Sequence, residues 1–330
     1  MNKTLFLVTS LFVLSSLTFI GCRTKNNYTE LSSKFSISPD DKYIAFSIYK
    51  EGIASIYIAD INGNNIKRLT YPNNASHTDP EFSPDGTKIL FLSYPQDVKS
   101  CIGYINIMNK DGSDIKQITS KDENITEAIF FPDGKKIYFL KSGYFGSYSP
   151  IAQDRPHKFD IFSINIDGSD EKRITNLEAY NIRSLSITSN GKSILFKRLE
   201  YKSKYSVFRI SLEEPEKLIN VLPEGEQFEP QISPDDKLLA FKDKRKDYKG
   251  FFQYELFITD LQNIKIRQLT DLRKNLENPR FFHNENKLLF IFNTNWPNNP
   301  PKNQLMQIDL DGSNLKKINI EIPITEMSFN

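Results

Sequence analysis

The chain has 330 residues, 38% hydrophobic and 25% charged, and its 43 basic residues nearly balance 41 acidic ones. A net charge of +2 excludes the strongly basic face that nucleic-acid binding needs. Two cysteines, Cys22 and Cys101, exclude a disulfide framework, and the length is ample for one large core.

In chain order, residues 1–21 come first and read as a signal peptide: Met1-Asn2-Lys3, an apolar run from Leu5 to Ile20, then Gly21. Thr9, Ser10, Ser15, Ser16 and Thr18 interrupt the run, which is short for a stable transmembrane helix. Phe19-Ile20-Gly21-Cys22 resembles the lipobox of bacterial lipoproteins, with Phe19 where that family prefers Leu. The resemblance implies that Cys22 is diacylated and becomes the new N-terminus, which would bind the protein firmly to a membrane. An ordinary secretory signal with an incidental cysteine is the competing reading. With Cys22 lipidated, Cys101 has no partner. Residues 22–33 then form the lipidated cysteine and a polar tether without periodicity, and residues 34–330 the folded domain.

The folded domain is built from an internal repeat. Its clearest copy is Phe82-Ser83-Pro84-Asp85-Gly86, followed by Thr87-Lys88-Ile89-Leu90-Phe91. Its relatives begin at Ile37, Phe130, Ile187, Ile232 and, in worn form, Phe281. The turn acid or amide falls at Asp40, Asp85, Asp133, Asn190, Asp235 and Asn284, a spacing of roughly 45 to 57 residues that suits a four-stranded propeller blade. After each turn comes an apolar strand such as Tyr43-Ile44-Ala45-Phe46, then an alternating strand such as Ile56-Tyr57-Ile58-Ala59-Asp60, whose period of two marks β structure. Asn62-Gly63, Asp111-Gly112, Asp167-Gly168 and Asp311-Gly312 supply tight turns, and Leu69-Thr70, Ile118-Thr119, Ile174-Thr175 and Leu269-Thr270 close the units.

These residues resemble the TolB-type, WD-like propeller repeat: an apolar residue, Ser-Pro-Asp-Gly, an apolar strand and a closing Leu-Thr. The resemblance runs from about Phe35 to Phe329 and implies an all-β, six-bladed β-propeller of four-stranded antiparallel blades. The TolB family adds an N-terminal α/β domain for which this chain leaves no room. Thr325 to Phe329 forms a possible seventh inner strand, which leaves ring closure open.

No Gly-x-Ser-x-Gly elbow is present, and no catalytic residue and no cofactor are expected. His77 and His157 are weak candidates for a metal, placed by blade alignment on one face with His283 on the other; two histidines on separate loops need carboxylates to complete a site. The turn aspartates Asp40, Asp85, Asp133 and Asp235 are read as structural acceptors of backbone N–H groups. Aligned on the turns, Lys34, Asp79, Glu127, Ser184, Glu229 and Asn278 form a column just before the inner strands, joined by Glu326 in the possible extra strand. It is expected to ring one mouth of the axial channel, where Asp79, Glu127, Glu229, Asn278 and Glu326 would draw a cation or a basic peptide; a hydrated, screened rim is the plainer reading. On the same face, the second-to-third-strand loops carry Tyr144, Phe145, Tyr148, Tyr248, Phe251, Phe252 and Trp296, a composition suited to protein binding, unless the rings pack on neighbouring loops.

The expected function is that of a lipid-anchored, noncatalytic module in the cell envelope, on the periplasmic side of the outer membrane in a Gram-negative cell. It would bind an envelope protein or peptide, and no nucleic acid. A metal-assisted enzyme acting on a saccharide, and a small-molecule sensor using the channel, are the alternatives.

Overall fold

A computed structural model describes residues 29–96, 103–147, 154–200, 205–223, 225–244 and 253–321. Blade 1 holds β1 (Glu30–Ile37), β2 (Tyr43–Lys50), β3 (Ile53–Asp60) and β4 (Lys67–Arg68). Blade 2 holds β5 (Ala75–Phe82), β6 (Lys88–Pro95), β7 (Tyr104–Asn109) and β8 (Lys116–Gln117). Blade 3 holds β9 (Ile125–Phe130), β10 (Lys136–Gly146), β11 (Arg155–Asn165) and β12 (Lys172–Arg173). Blade 4 holds β13 (Ile182–Ile187), β14 (Ser193–Leu199), β15 (Tyr205–Ser211) and β16 (Ile219–Asn220). Blade 5 holds β17 (Phe228–Ile232), β18 (Leu238–Lys244), β19 (Tyr254–Asp260) and β20 (Arg267–Gln268). Blade 6 holds β21 (Asn275–Phe281), β22 (Lys287–Asn293), β23 (Asn303–Asp309) and β24 (Lys316–Ile318). Each is a four-stranded sheet paired in chain order, so the fold is a six-bladed, all-β propeller.

The repeat explains the packing. The apolar run after each turn becomes the second strand, and its phenylalanine recurs six times, as Phe46, Phe91, Phe139, Phe196, Phe241 and Phe290, each at most 1% exposed. Burying one such side chain is worth roughly 1.5–3 kcal/mol. The turn before it is self-supporting. Ser38 Oγ donates to Asp40 Oδ1 at 2.6 Å and accepts the Tyr43 N–H at 2.9 Å. Ser83 with Asp85 and Ser233 with Asp235 repeat this arrangement. The serine hydroxyl leads the causes that hold the carboxyls of Asp40, Asp85 and Asp235 below their ordinary pKa. These aspartates are architectural, as the repeat implied.

Ring closure, left open by the sequence, joins blade 1 to blade 6 through side chains. β1 forms the inner strand of blade 1 and packs on β21 and β23. Phe35, Ile37, Ile44 and Phe46 share one core with Phe282, Leu289, Ile291 and Ile318. β1 also starts earlier than the tether reading placed it, because Glu30 and Leu31 pair with Tyr49 and Ile48 and Leu31 packs on the closing core. The possible strand 325–329, with Glu326, lies outside the described residues.

A second contact latches the ring. In the blade 1 turn Asp41 stands where three other copies have glycine, at φ 56°. Its carboxylate accepts the backbone N–H groups of His283 and Asn284 at 2.8 and 2.7 Å, and the Asn284 side-chain amide at 3.2 Å. Asp236 does the same between blades 5 and 4, accepting the Ser189 N–H at 2.8 Å. Asp41→Ala leaves two backbone donors without their acceptor, so its urea midpoint should fall by the equivalent of about 2–3 kcal/mol. An unchanged midpoint would show that the apolar core alone closes the ring.

Candidate binding site in the axial channel

The column seen in the sequence lies inside the inner strands, not before them. Register shifts between Thr78 and Glu81, Arg183 and Ser186, Phe228 and Gln231, and Glu277 and Arg280 mark β-bulges. Asp79, Ser184, Glu229 and Asn278 take up the extra residue, with φ between 52° and 61°. A bulge inserts one residue and re-aims a side chain, which draws the column in from the rim into the ring.

Two of the three carboxylates tie blades together. Glu127 in blade 3 accepts the N–H groups of Ser184 and Leu185 in blade 4, both at 2.7 Å. Glu229 in blade 5 accepts the Asn278 N–H of blade 6 at 2.5 Å and pairs with Lys242 Nζ at 3.3 Å. Burial pushes the Glu229 pKa up, but Lys242, the Asn278 N–H, Lys197 and Lys34 outweigh it and hold the group below its ordinary value. Asn278 continues the pattern, its amide donating to Phe35 O of blade 1 at 3.4 Å.

Asp79 differs. Its Oδ1 is buried and has no hydrogen-bond partner. Burial, with a lesser push from Glu127, raises its pKa to about 6, although Lys34, Arg183 and Arg280 pull the other way. An aspartate is one methylene shorter than a glutamate, so Asp79 stops short of the bond that Glu127 and Glu229 make to the next blade.

Toward the motif turns the channel is crossed by a polar layer. Arg280 donates to Gln231 Oε1 at 3.0 Å and pairs with Glu81 at 3.5 Å, while Gln231 donates to Ser186 Oγ at 3.1 Å. Below it a cavity of about 330 Å³ opens on the turn face, walled by Ile37, Phe82, Phe130, Ile187, Ile232 and Phe281.

The sequence reading missed two buried lysines beside the channel. Lys197 Nζ lies 4.5 Å from the Tyr205 ring centroid and 4.8 Å from that of Phe228, and Lys242 Nζ lies 5.1 Å from that of Tyr254. Tyr205, Phe228 and Tyr254 touch in series at 5.2 and 5.3 Å. Burial lowers the Lys197 pKa to about 7, helped by Arg183 and Lys242 and opposed by Glu229 and Glu127.

Of the loop aromatics, Tyr144 and Phe145 sit in β10 rather than a loop, because that hairpin extends to Gly146 and Arg155. Tyr144 is 38% exposed and stacks toward His157, which stacks at 4.4 Å on Tyr180, a 54% exposed ring that the sequence reading overlooked. Trp296 is half-buried, and its carbonyl accepts Lys274 Nζ at 3.1 Å. Tyr148, Tyr248, Phe251, Phe252 and Cys22 lie outside the described residues.

Neither histidine lies in a loop. His77 lies within β5, its ring 5.0 Å from Phe91, and burial lowers its pKa to about 4. His157 lies in β11. Among the described residues, no three His, Cys, Asp or Glu side chains gather as a metal site.

Comparison with known proteins agrees with the six-bladed fold. The family model of the TolB beta propeller domain matches residues 21–142. TolB from Acinetobacter baumannii superposes with a TM-score of 0.62 at 19% identity, over 82% of this chain and 62% of its own. The fold is that of a TolB-like propeller. A putative TolB from Agrobacterium tumefaciens gives a TM-score of 0.62 at 14% identity, over 77% of this chain and 84% of its own. The TolB-like propeller is also similar to an oligogalacturonate lyase in complex with manganese, with a TM-score of 0.53 at 10% identity, over 91% and 92% of the two chains. At these identities the likeness concerns fold alone, and the chain spans 62% of the length of the Acinetobacter protein. No curated protein matches the chain.

Proposed function

We propose that this protein is a noncatalytic binding module of the bacterial cell envelope, lipid-anchored at Cys22, facing the periplasm. It engages an envelope protein or peptide through the face that carries Tyr144, Phe145 and Trp296 and through the upper channel. The TolB-like fold supports a protein-binding role in general. The observation that carries the reading is Asp79: a buried carboxylate oxygen without a donor weakens the fold, and such local costs cluster at functional sites. Asp79 is one methylene short of the structural bond made by its neighbours in the column, which leaves it available to a ligand.

The saccharide-enzyme alternative has less support, since His77 packs on Phe91 and His157 on Tyr180. In-cell crosslinking of the tagged protein tests the proposal. The wild type should capture one dominant envelope protein, and a variant with alanine at Tyr144, Phe145 and Trp296 should lose at least about nine-tenths of it, as expected when aromatic anchors are removed. Absence of a partner, together with a stoichiometric metal or sugar in the purified protein, would decide for the enzyme.

A further inference from the structure

The inference concerns the chemistry of the group that the channel receives, and it rests on the binding-module reading. The buried polar atoms without a hydrogen-bond partner along and just before the upper inner strands include donors, such as Arg280 Nε, as well as acceptors, and Asp79 Oδ1 is the carboxylate oxygen among those within the inner strands. Beside Asp79 Oδ1 they include Asn124 Oδ1 and Asn181 Oδ1, with the hydroxyls of Thr78 and Thr126. Nearby cations do not meet this demand. Arg280 directs Nη1 to Gln231 and Nη2 to Glu81 while its Nε has no hydrogen-bond partner, and Lys242 pairs with Glu229. Lys34, Arg183 and Arg280 act on Asp79 through the field, without donating to its Oδ1. The neighbouring carboxylate Glu127 spends both oxygens on backbone N–H groups.

From this arrangement we propose that Asp79 is the acceptor for an ammonium group, a lysine side chain or a terminal amine, which an extended partner segment inserts into the upper channel. An ammonium carries three donors on a compact charge, so one group can bond Asp79 and also reach a neighbouring oxygen. A charge-assisted bond of this kind is stronger than a neutral one. A hydroxyl supplies a single donor, and neither it nor an amide brings a charge of its own into contact with the carboxylate.

Two variants separate charge from reach. Asp79→Asn removes the charge and keeps the shape. Asp79→Glu keeps the charge but adds the methylene that lets Glu127 and Glu229 bond the next blade, so the carboxylate becomes occupied internally. Both should fold, and both should melt at or above the wild-type temperature.

The direct test titrates detergent-solubilised full-length protein with n-butylammonium, with tetramethylammonium at equal ionic strength and with n-pentanol. It reads the Asp79 carboxyl carbon signal, and the Thr78 and Glu81 amide signals in all variants. The expected result is saturable binding of n-butylammonium alone, weakened at least about tenfold in both variants. Equal binding of tetramethylammonium or pentanol, or retention of n-butylammonium by Asp79→Asn, would overturn the proposal. Crosslinking in cells distinguishes the two levels of inference. A partner captured equally by wild type and Asp79→Asn removes the ammonium site and leaves the binding module standing. A wild type without a partner removes the module, and the titration still decides the ammonium site.

Discussion

Replacing Gly63 with valine is expected to destabilise the ring by roughly 3–5 kcal/mol, because two independent penalties meet at one residue. Gly63 has φ 87°, a region that a β-branched residue enters only under strain. A Cβ there would also overlap the carbonyl oxygen of Asn319 and lie 3.0 Å from Ile318 Cγ2. Both belong to the end of blade 6, so the third-to-fourth-strand turn of blade 1 sits directly on the last blade. The same contact recurs around the ring, with Gly112 against Leu69 and Gly168 against Ile118. At Gly112 the nearest backbone atom would be 3.0 Å from a Cβ, so Gly112→Ala should cost less. Gly143→Ala is the control, since its Cβ would meet nothing closer than 3.5 Å. Urea unfolding of the three variants gives the order. A Gly63→Val midpoint equal to that of Gly143→Ala would show that closure does not depend on this approach.

The propeller was legible because its determinants are local and repeated. A turn that is Ser-Pro-Asp in blades 1, 2 and 5 and altered in the other three is followed in every blade by an apolar run ending in phenylalanine. The column of aligned residues was legible in the sequence, but its place within the strands was not. The column containing Asp79, Glu127 and Glu229 is visible in an alignment of the copies. The bulges that draw it inward arise from pairing between strands, which residue type does not announce. The difference between aspartate and glutamate is plain in the sequence, but it gains meaning only once Glu127 and Glu229 are found bonded to the next blade. The buried lysines did leave a signal. The residue after the repeated phenylalanine is Ser47, Leu92, Leu140 or Ile291 in four blades, and Lys197 or Lys242 in the other two. A lysine in an apolar column asks to be explained by a buried cation site. The aromatic face was harder, because Tyr180 becomes a neighbour of Tyr144 only through the ring of His157, from separate segments of the chain.

Lys197 leads to the second large effect, a gain of stability on its removal. Its side chain is among the buried polar groups, and its amine titrates near 7 instead of near 10.5. Below pH 7 the amine is protonated both folded and unfolded, so the folded state bears the full cost of a buried cation. Between about 7 and 10.5 the unfolded chain holds a proton that the folded one has released, so stability rises with pH across this window. Three to four pH units of depression correspond to roughly 4–5 kcal/mol below the window, partly offset by the rings of Tyr205 and Phe228, worth about 1–2 kcal/mol. Lys197→Met keeps the apolar stem and removes the charge. At pH 6 it should therefore be more stable than the wild type by roughly 2–4 kcal/mol, with the gap narrowing by roughly 1.4 kcal/mol per pH unit above 7. Urea unfolding of both proteins at pH 6 and pH 9 measures this. A constant gap would mean that Lys197 stays protonated in the fold throughout, held by Glu229. A narrowing gap would place a second self-imposed cost, after Asp79, on the channel wall. Structural demand does not account for such a pair, because blades 1, 2, 3 and 6 close around the same axis with serine, leucine or isoleucine at the lysine position.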